Sequence, residues 1–359
     1  MTARAEAAPA SPLQRTLDGY ARPRGELVLA EKDGALRCLA CAHRCLIKSG
    51  RRGICRVRLN RDGELLVPYG YVAGLQNDPI EKKPFYHFLP GATALTFGML
   101  GCSLHCSYCQ NWLTSQALRD QAAGTLPEEV TPAQVAQLAL DSHARVVVSS
   151  YNEPLISAEW ASAVFKAARE VGLKTALVSN GYATAEVLEY LRPVTDAIKV
   201  DLKSMADRTY RALGGVLQPV LDSIRLVRQL GYWLEIVTLV VPGLNDSDDE
   251  LRELATFIAD VSPDIPWHVT AFHPDYRMTD RSATPVRTVL KARKIGLMAG
   301  LKFIYAGNLP DLAPEMENTH CPACNVPLIR RAGYYILDDR LAGGGACPRC
   351  ETLIPGVWA

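Results

Sequence analysis

The chain has 359 residues, of which 48% are hydrophobic, and its 39 basic and 38 acidic residues give a formal net charge of +1. This composition excludes a disordered chain. The balanced charge argues against a strongly basic nucleic-acid-binding protein and against general attraction to anionic membranes. The length predicts two to three domains, and no apolar stretch approaches the ~18 residues of a membrane helix.

The first thirty residues contain Glu6, Asp18 and Glu26 but no apolar run. This pattern predicts no secretory signal, and we interpret the stretch as a loose arm rich in Ala, Pro and Arg. Together with the composition it indicates a soluble, cytoplasmic protein. Because a cytoplasmic chain keeps its thiols reduced, closely spaced cysteines in it are typical of metal sites rather than disulfides.

Eleven cysteines fall into three groups, and the first group follows the arm with the spacing of metal ligands: Cys38, Cys41, Cys45 and Cys55. Four thiolates can bind zinc or an auxiliary iron–sulfur cluster, and His43 adds a fifth possible ligand. The spacing does not choose between these metals. We expect residues 1–84 to form an N-terminal arm and a Cys-rich metal-binding segment.

The second group lies in the stretch GCSLHCSYCQNW, in which Cys102, Cys106 and Cys109 fall within eight residues. A [4Fe–4S] cluster needs one thiolate for each iron, so three thiolates can hold one cluster and leave one iron without a protein ligand. An open metal position is where a substrate or cofactor binds. The alternative is part of a zinc or ferredoxin site whose fourth ligand lies elsewhere, such as His105.

The spacing Cys-x3-Cys-x-aromatic-Cys, with Tyr108 as the aromatic residue, resembles the signature of the radical S-adenosylmethionine (SAM) superfamily. The resemblance implies a [4Fe–4S] cluster at these three cysteines whose open iron is chelated by the amino and carboxylate groups of SAM. It also implies one-electron cleavage of SAM to a 5′-deoxyadenosyl radical, which abstracts hydrogen from a substrate. The electron would come from a donor such as flavodoxin or ferredoxin.

Between residues 92 and 308 short apolar strands alternate with amphipathic helices, which is typical of a parallel α/β fold. Candidate N-caps precede three helices, at Thr131, Ser247 and Thr284. The resemblance implies a partial (β/α)6, TIM-like radical SAM barrel over residues 85–312. The predicted strands are Ala94–Leu100, Ala144–Ser150, Thr175–Ser179, Ala197–Val200, Leu234–Val241, His268–Phe272 and Lys302–Tyr305.

Polar or glycine residues follow six consecutive predicted strands, where a barrel of this kind carries its chemistry. The core further resembles the glycyl-radical-enzyme activases, of which pyruvate formate-lyase activase is the type. This likeness implies catalytic roles for Lys203 and His273, with His268 as a competitor for His273 and a rim lysine without a ligand as the other interpretation of Lys203. It also implies SAM contacts, with Glu153 at the amino group, for Tyr108, Asn152, Glu153, Ser179, Asn180, Asp201, Lys203 and His273.

The third group has two Cys-x2-Cys pairs around a linker that contains Gly343: Cys321, Cys324, Cys347 and Cys350. Four thiolates in tetrahedral geometry predict a closed, structural zinc ribbon over residues 313–359. An auxiliary cluster at the same cysteines is the alternative. Acidic residues offset the arginines of this segment, so we expect no nucleic acid as a partner.

The cysteine-rich head, the central motif and the tail Ile354–Trp358 together resemble the AmmeMemoRadiSam-system radical SAM proteins. This resemblance implies the chemistry of initiation and leaves the overall reaction open. Three functions remain at this point: a radical SAM enzyme acting on an unidentified small molecule, an activase that abstracts hydrogen from a partner protein, and a non-catalytic metal-binding scaffold.

Overall fold

The structure, a computed structural model, describes residues 11–309, 314–341 and 344–359 and shows regular secondary structure from Pro12 onward. Helix α1 (Pro12–Tyr20) is capped by the Ser11 side chain, which accepts a hydrogen bond from the Gln14 amide, and it buries Leu17. Strand β1 (Ala21–Pro23) pairs with a later strand of the segment. The expected loose arm is therefore wrong for residues 12–23, and residues 1–10 lie outside the described residues.

Two small antiparallel sheets of three strands each form the rest of this segment, and β1 belongs to one of them. A buried ion pair ties it to the remainder of the chain: Arg58 Nη1 lies 3.0 Å from Glu159 Oε2, and both side chains are 1% exposed. The strands of this segment are β2 (Val28–Ala30), β3 (Leu36–Cys38), β4 (Leu46–Ile47), β5 (Leu59–Arg61), β6 (Glu64–Pro68) and β7 (Tyr71–Val72). The two sheets have the strand orders β1-β6-β5 and β2-β3-β4, and β7 pairs with β10 (Glu128–Glu129) from further along the chain.

An eight-stranded sheet forms the centre of the molecule. Its seven parallel strands follow one another in chain order. An antiparallel strand, β8 (Gly74–Pro79), pairs with the first of them, β9 (Thr93–Gly98). Among the described residues no strand pairing joins the two edges, β16 and β8, so the barrel is open. The strands are β8 (Gly74–Pro79), β9 (Thr93–Gly98), β11 (Val146–Ser149), β12 (Lys174–Ser179), β13 (Ala197–Asp201), β14 (Trp233–Val240), β15 (Trp267–Ala271) and β16 (Ile304–Gly307).

Helices connect the parallel strands, so the predicted α/β class and TIM-like strand order are confirmed. Strands such as β11 are buried on both faces because helices cover the outside and the opposite wall covers the inside. The helices after α1 are α2 (Trp112–Ser115), α3 (Pro132–Asp141), α4 (Ala158–Glu170), α5 (Ala185–Leu191), α6 (Asp207–Ala212), α7 (Gln218–Gln229), α8 (Asp248–Val261) and α9 (Val286–Met298). Within the described residues, none of these helices is long and apolar enough to cross a membrane.

The predicted helix caps differ in outcome. Thr131 forms a complete capping box with Gln134. Ser247 accepts a hydrogen bond from the Glu250 amide, but the Glu250 carboxylate binds Met205 and its neighbour instead of completing the box. The prediction for Thr284 is wrong, because Pro285 occupies the N-cap and the Thr284 hydroxyl accepts from the Phe272 amide at the end of β15.

A C-terminal ribbon packs against both sides of the opening in the sheet. Its strands are β17 (Thr319–His320), β18 (Pro327–Ala332) and β19 (Tyr335–Asp339). The ribbon core contacts Phe303 and Tyr305 at edge strand β16. Beyond it, Val357 exchanges 2.7 Å backbone hydrogen bonds with His87 and Leu89, in the loop that follows the other edge strand. The ribbon therefore links the two edges that the sheet leaves unpaired.

Arg331 is the buried centre of this attachment. Its Nη1 donates to the Glu317 carbonyl and the Thr319 hydroxyl, and its Nη2 donates to the Tyr86 carbonyl, each at 2.9 Å. The Glu81 carboxylate lies 3.8 Å from Nε, and both side chains are fully buried. Burial raises the pKa of Glu81 to about 7 against the opposing charge of Arg331. The Arg331 guanidinium thus makes several hydrogen bonds and one ion pair that are buried away from solvent.

Replacing Arg331 with alanine is expected to lower the free energy of unfolding by about 3–5 kcal/mol, because it leaves Glu81 and three acceptors buried without their partner. Urea unfolding followed by circular dichroism measures the change. The matched control is Arg330→Ala, since Arg330 is exposed on the same strand and should change the free energy by less than about 0.5 kcal/mol. Equal effects of the two substitutions would contradict this account.

His87 makes the attachment sensitive to acid. The imidazole is fully buried as the neutral form, with Nδ1 2.7 Å from the Pro355 carbonyl oxygen and Nε2 2.6 Å from the Tyr305 hydroxyl. Burial lowers its pKa from 6.5 to about 4. The unfolded chain therefore gains a proton near pH 6.5 while the folded protein resists protonation until pH 4, so the contribution to stability is full above pH 6.5 and is lost as the pH falls.

We expect His87 to contribute about 3 kcal/mol to the loss of stability between pH 7 and pH 4. Denaturant unfolding at a series of pH values measures it. The variant His87→Gln should show a shallower decline over this range, although its stability at pH 7 is lower. Replacing the exposed His143 with Gln is the control and should leave the slope unchanged. A wild-type slope in His87→Gln would refute the assignment.

Candidate active site

The central cysteines lie in the loop after β9. The loop starts at Gly101, whose backbone has a positive φ of 96° and approaches the Cys55 carbonyl so closely that a Cβ would lie 3.2 Å from its oxygen. Cys102 Sγ accepts a 3.4 Å hydrogen bond from the Leu104 amide, and Cys109 Sγ lies 3.2 Å from the Ser115 hydroxyl. All three cysteines are free thiols.

The environment of these thiols favours metal binding. The pKa of Cys106 is raised to about 11, mainly by burial; the charge of Lys203 opposes this shift and the neighbouring Cys109 adds to it. Burial also raises the pKa of Cys102 far above its usual range. A metal ion or cluster binds thiolates, and its positive charge stabilises the deprotonated form that burial alone disfavours. The three donors therefore fit a cationic iron–sulfur centre.

His105, the alternative fourth ligand, faces another element. Its amide donates to the Leu213 carbonyl, and its ring lies against Gly214, beyond α6. Among the described residues, the three central cysteines belong to no set of three or more ligand atoms that lie within 4.8 Å of one another. A compact single-ion site at the central loop therefore finds no support.

A cavity of about 660 Å³ opens beside the cysteine loop, at the carboxyl ends of the parallel strands. Proteins bind small molecules in cavities of this size. The predicted site residues that line it are Cys106, Tyr108, Cys109, Asp201, Lys203 and His273. The cavity thus joins two thiols of the loop to charged side chains from the end of β13.

Asp201 lies between two lysines on the cavity wall. Lys199 Nζ forms a close ion pair with Asp201 Oδ1, and Lys203 Nζ lies 3.6 Å from Oδ2. Burial raises the pKa of Asp201, but the two ammonium groups outweigh this and hold it below its usual value. Burial likewise disfavours the charged form of Lys203, yet Asp201 and Cys106 keep its pKa well above the usual range. Asp201 and Lys203 are therefore both charged at neutral pH.

Lys199 was missed in the sequence analysis, although a signal for it exists. Side chains two residues apart on a strand point to the same face, so Lys199 faces the cavity with Asp201. Lys83 was also missed, and no local pattern marks it. Its Nζ lies 3.0 Å from Asp78 Oδ2 and 2.9 Å from the Tyr151 hydroxyl. Both lysines line the cavity.

The other predicted SAM-contact residues form a buried cluster behind the loop and are not among the described residues that line the cavity. The Glu153 carboxylate accepts hydrogen bonds from the Ser179 hydroxyl at 2.7 Å and from the Asn180 amide at 2.8 Å. Burial raises its pKa to about 7, against the effect of these donors. Asn152 Oδ1 accepts from the Met99 amide at 3.0 Å. Glu153 and its partners thus connect the loop to β11 and β12.

Two histidines reach the cavity from the β15 side. His273 is exposed, and its Nε2 lies 3.0 Å from the Gln110 side-chain nitrogen, next to Cys109. His268 is 2% exposed, and its Nε2 lies 2.6 Å from Glu235 Oε2. His273 is therefore adjacent to the cysteine loop, while His268 is fixed deeper in the barrel.

The C-terminal cysteines converge within 4.8 Å of one another. Cys321 Sγ lies 3.5 Å from Cys350 Sγ, and Cys324 Sγ lies 3.7 Å from Cys347 Sγ. These separations are close to the edge of a tetrahedron of thiolates around one metal ion, about 3.8 Å for a metal–sulfur distance of about 2.3 Å. Gly343 of the linker lies outside the described residues. The group is therefore arranged for a single ion.

The N-terminal cysteines also lie together, but less tightly. Cys38 and Cys45 face each other across the β3–β4 hairpin, where the Cys38 amide donates to the Cys45 carbonyl at 3.0 Å. Burial raises the pKa of Cys41, and the nearby Cys55 and Cys38 raise it further. His43 is directed elsewhere, because its Nε2 lies 2.9 Å from the Ser103 carbonyl oxygen in the central loop. The group thus adjoins that loop.

Comparison with known proteins identifies the family. Residues 97–257 match the model of the radical SAM superfamily. The uncharacterized protein MJ0808 of Methanocaldococcus jannaschii is 38% identical over 312 residues, which cover 86% of this chain and 90% of that protein. The pyruvate formate-lyase 1-activating enzyme of Escherichia coli K12 is 29% identical over 178 residues, 48% of this chain and 70% of the enzyme.

Among solved structures, a radical SAM methyltransferase from Sphaerobacter thermophilus is similar with a TM-score of 0.48 and 16% identity. The similarity covers 61% of this chain and 67% of that one. The family model spans the cysteine loop and most of the parallel sheet, and a relative 38% identical extends along nearly all of its own length. The chain belongs to the radical SAM superfamily.

Proposed function

We propose that the protein is a cytoplasmic enzyme that uses a [4Fe–4S] cluster at Cys102, Cys106 and Cys109 to cleave SAM reductively and to abstract hydrogen from a substrate. The main support is the cavity that two of these thiols share with the charged residues Asp201 and Lys203. When bound, the cluster and SAM supply a 5′-deoxyadenosyl radical. The cytoplasmic assignment rests on eleven cysteines that are all free thiols.

The residues of the chain have separate tasks in this proposal. Asp201 accepts hydrogen bonds from the ammonium group or ribose hydroxyls of SAM, and Lys203 pairs with its carboxylate. Tyr108 and His273 contact SAM from the two sides of the cysteine loop. The buried cluster around Glu153 acts indirectly, because its hydrogen bonds position the loop and the ends of β11 and β12.

A second candidate is an activase that abstracts hydrogen from a partner protein. It is favoured by the relatives named as pyruvate formate-lyase activating enzymes, at 26–29% identity. The ribbon argues for the first candidate, because Gly333 and Tyr334 of its hairpin line the cavity and narrow the space for an entering peptide. In either case a flavodoxin or ferredoxin supplies the electron.

Anaerobically reconstituted protein with SAM and dithionite is expected to form 5′-deoxyadenosine, measured by chromatography. Cys106→Ala should reduce the rate to background, because a lost thiolate leaves a second iron exposed. Asp201→Asn should retain the iron but weaken SAM binding about 10- to 100-fold, the effect of losing a charge-assisted hydrogen bond. The control is Asp246→Asn, which changes a carboxylate outside the described cavity lining.

Wild-type rates from Cys106→Ala would refute the enzyme assignment. A non-catalytic scaffold predicts that Asp201→Asn and Asp246→Asn behave alike, since a structural metal site has no use for either carboxylate. The two catalytic candidates separate by product. Deuterium from a labelled glycine of a partner protein entering 5′-deoxyadenosine supports the activase.

We further propose that Cys321, Cys324, Cys347 and Cys350 bind structural zinc. The short sulfur–sulfur distances support one ion rather than a cluster, since each thiolate of a cluster binds a separate iron. The site then stabilises a small ribbon that buries little apolar surface of its own. An auxiliary cluster at these cysteines would need a wider arrangement of sulfurs.

Cys324→Ser is expected to lose one zinc per chain and to lower Tm by about 5–10 °C, because metal binding contributes to folding of the ribbon. Metal analysis and differential scanning calorimetry measure the two effects. Dithionite-driven SAM cleavage at 20 °C should remain within about twofold of wild type. Loss of iron in place of zinc would contradict the zinc assignment.

A further inference from the structure

We propose that Cys38, Cys41, Cys45 and Cys55 bind a second iron–sulfur cluster, through which an acidic electron-carrier protein reduces the cluster at the central loop. The relay role rests on the function proposed above for that loop. The binding of a second cluster does not, because it is argued from the four cysteines themselves.

The separation of the sulfurs distinguishes a cluster from a zinc ion. The four C-terminal thiols lie within 4.8 Å of one another, whereas no three ligand atoms at Cys38–Cys55, all within the described part of the chain, meet that limit. The central cysteines share this wider arrangement. Thiolates around one zinc ion must be about 3.8 Å apart, but thiolates on a cluster bind different irons and stand further apart. The N-terminal group resembles the cluster-binding set.

The sulfurs also receive hydrogen bonds of the kind that tune iron–sulfur clusters. The Ile54 amide donates to Cys45 Sγ at 3.4 Å, as the Leu104 amide does to Cys102 Sγ in the central loop. Cys38, Cys41 and Cys55 are buried, while Cys45 is partly exposed.

The group lies directly against the central loop. One nitrogen of Arg119, Nη2, donates to the Ile54 carbonyl and to the Cys102 carbonyl, each at 2.9 Å. A Cβ on Gly101 would lie 3.2 Å from the Cys55 carbonyl oxygen, and His43 Nε2 lies 2.9 Å from the Ser103 carbonyl oxygen. The last residue before Cys55 and the first cysteine of the central loop therefore share one guanidinium. A structural metal would not need this position, but an electron relay does.

The surface over the group suits an acidic partner. Residues 41–61 contain seven Lys or Arg and no Asp or Glu. Three of these, Arg44, Arg52 and Arg58, form ion pairs with Glu186, Asp18 and Glu159, so the other four make the basic rim. Lys48 and Arg51 are exposed, and beside them Leu46 and Ile54, next to Cys45 and Cys55, are 50% and 49% exposed. An apolar centre within a basic rim favours an acidic carrier, such as a flavodoxin or a ferredoxin, by charge complementarity. The electron enters at the partly exposed Cys45.

Each transfer, from the carrier to the N-terminal cluster and from there to the central cluster, moves one electron. The reduced carrier loses one electron and is oxidised, and the N-terminal cluster is reduced by it. That cluster returns to its oxidised state when the central cluster takes the electron. No proton or bond changes partner in this step.

Metal content of the reconstituted wild-type protein provides the first test. We expect about eight irons, eight sulfides and one zinc per chain, since each [4Fe–4S] cluster holds four irons. Cys38→Ser/Cys41→Ser should keep about four irons and the zinc. The matched variant Cys321→Ser/Cys324→Ser should keep about eight irons and lose the zinc. Four irons with two zincs in the wild-type protein would overturn the proposal without reference to any variant.

The electron source provides the second test. Dithionite is small and reaches the central cluster directly, so 5′-deoxyadenosine formation with dithionite should be similar in wild type and Cys38→Ser/Cys41→Ser. With reduced flavodoxin the variant should be at least about tenfold slower. Lys48→Glu/Arg51→Glu should slow only the flavodoxin reaction, and added salt should slow it in the wild type. Equal flavodoxin rates in wild type and the cysteine variant would overturn the relay.

These measurements separate the two proposals. Eight irons without SAM cleavage under dithionite would refute the proposed function and support the second cluster. SAM cleavage with four irons and a second zinc would do the reverse. An intact electron paramagnetic resonance signal from the central cluster of Cys38→Ser/Cys41→Ser shows that this variant is folded.

Discussion

Three thiols in an eight-residue loop can face one point only if other segments hold the loop backbone. Five backbone carbonyl groups of this loop accept hydrogen bonds from other parts of the chain. Residues 101 and 102 bond to the Glu153 amide and Arg119, and residues 103, 104 and 107 bond to His43, Arg119 and the Arg277 amide. The loop conformation is therefore a property of the whole fold.

This dependence explains why residues behind the loop matter as much as those that line the cavity. Glu153 does not face the cavity, yet its carboxylate joins the turn after β11 to the Ser179 and Asn180 end of β12. Asn180 in turn donates to Ser103 in the loop at 3.0 Å. A chain of buried hydrogen bonds of this kind is worth most when every member is satisfied. These hydrogen bonds thus connect the ends of β11 and β12 to the cysteine loop and help to fix its conformation.

The open sheet imposes a second requirement. A barrel without pairing between its last and first strands leaves two edges to be covered, and the ribbon supplies the cover through Arg331, His87 and Val357. The ribbon and its four thiols therefore stabilise the barrel as well as themselves. Because its hairpin also lines the cavity, the ribbon affects which molecules enter.

Much of the fold followed from the sequence because buried parallel strands leave continuous apolar runs. Each predicted strand of the sheet lies within about two residues of the observed one, and the central motif located the loop. The failures have two causes: a side chain with two possible partners, and a segment whose order depends on contacts with distant strands. Thr284 could cap a helix or bind the end of β15, and it binds β15. Residues 12–23 show no strong pattern, and their order comes from packing against distant strands.

The turn at Tyr151 carries a large side chain where the backbone conformation favours glycine. Tyr151 has a φ of 68°, a conformation that costs a residue other than glycine of order 1–3 kcal/mol. The cost is offset by its hydroxyl, 2.9 Å from Lys83 Nζ, and by its ring, which the same ammonium group approaches at 4.8 Å. Space for the side chain comes from Gly98, where a Cβ would lie 2.9 Å from Tyr151 Cβ.

Glycine in the turn would leave this part of the cavity wall without a side chain. The glycine that makes space lies instead on the neighbouring strand, at Gly98 of β9. The turn can therefore carry a phenol ring, and this ring and the Lys83 ammonium group line the same cavity as Asp201 and Lys203. The cavity thus offers two kinds of contact to a bound molecule: a carboxylate flanked by ammonium groups at the end of β13, and an aromatic ring beside an ammonium group at the Tyr151 turn.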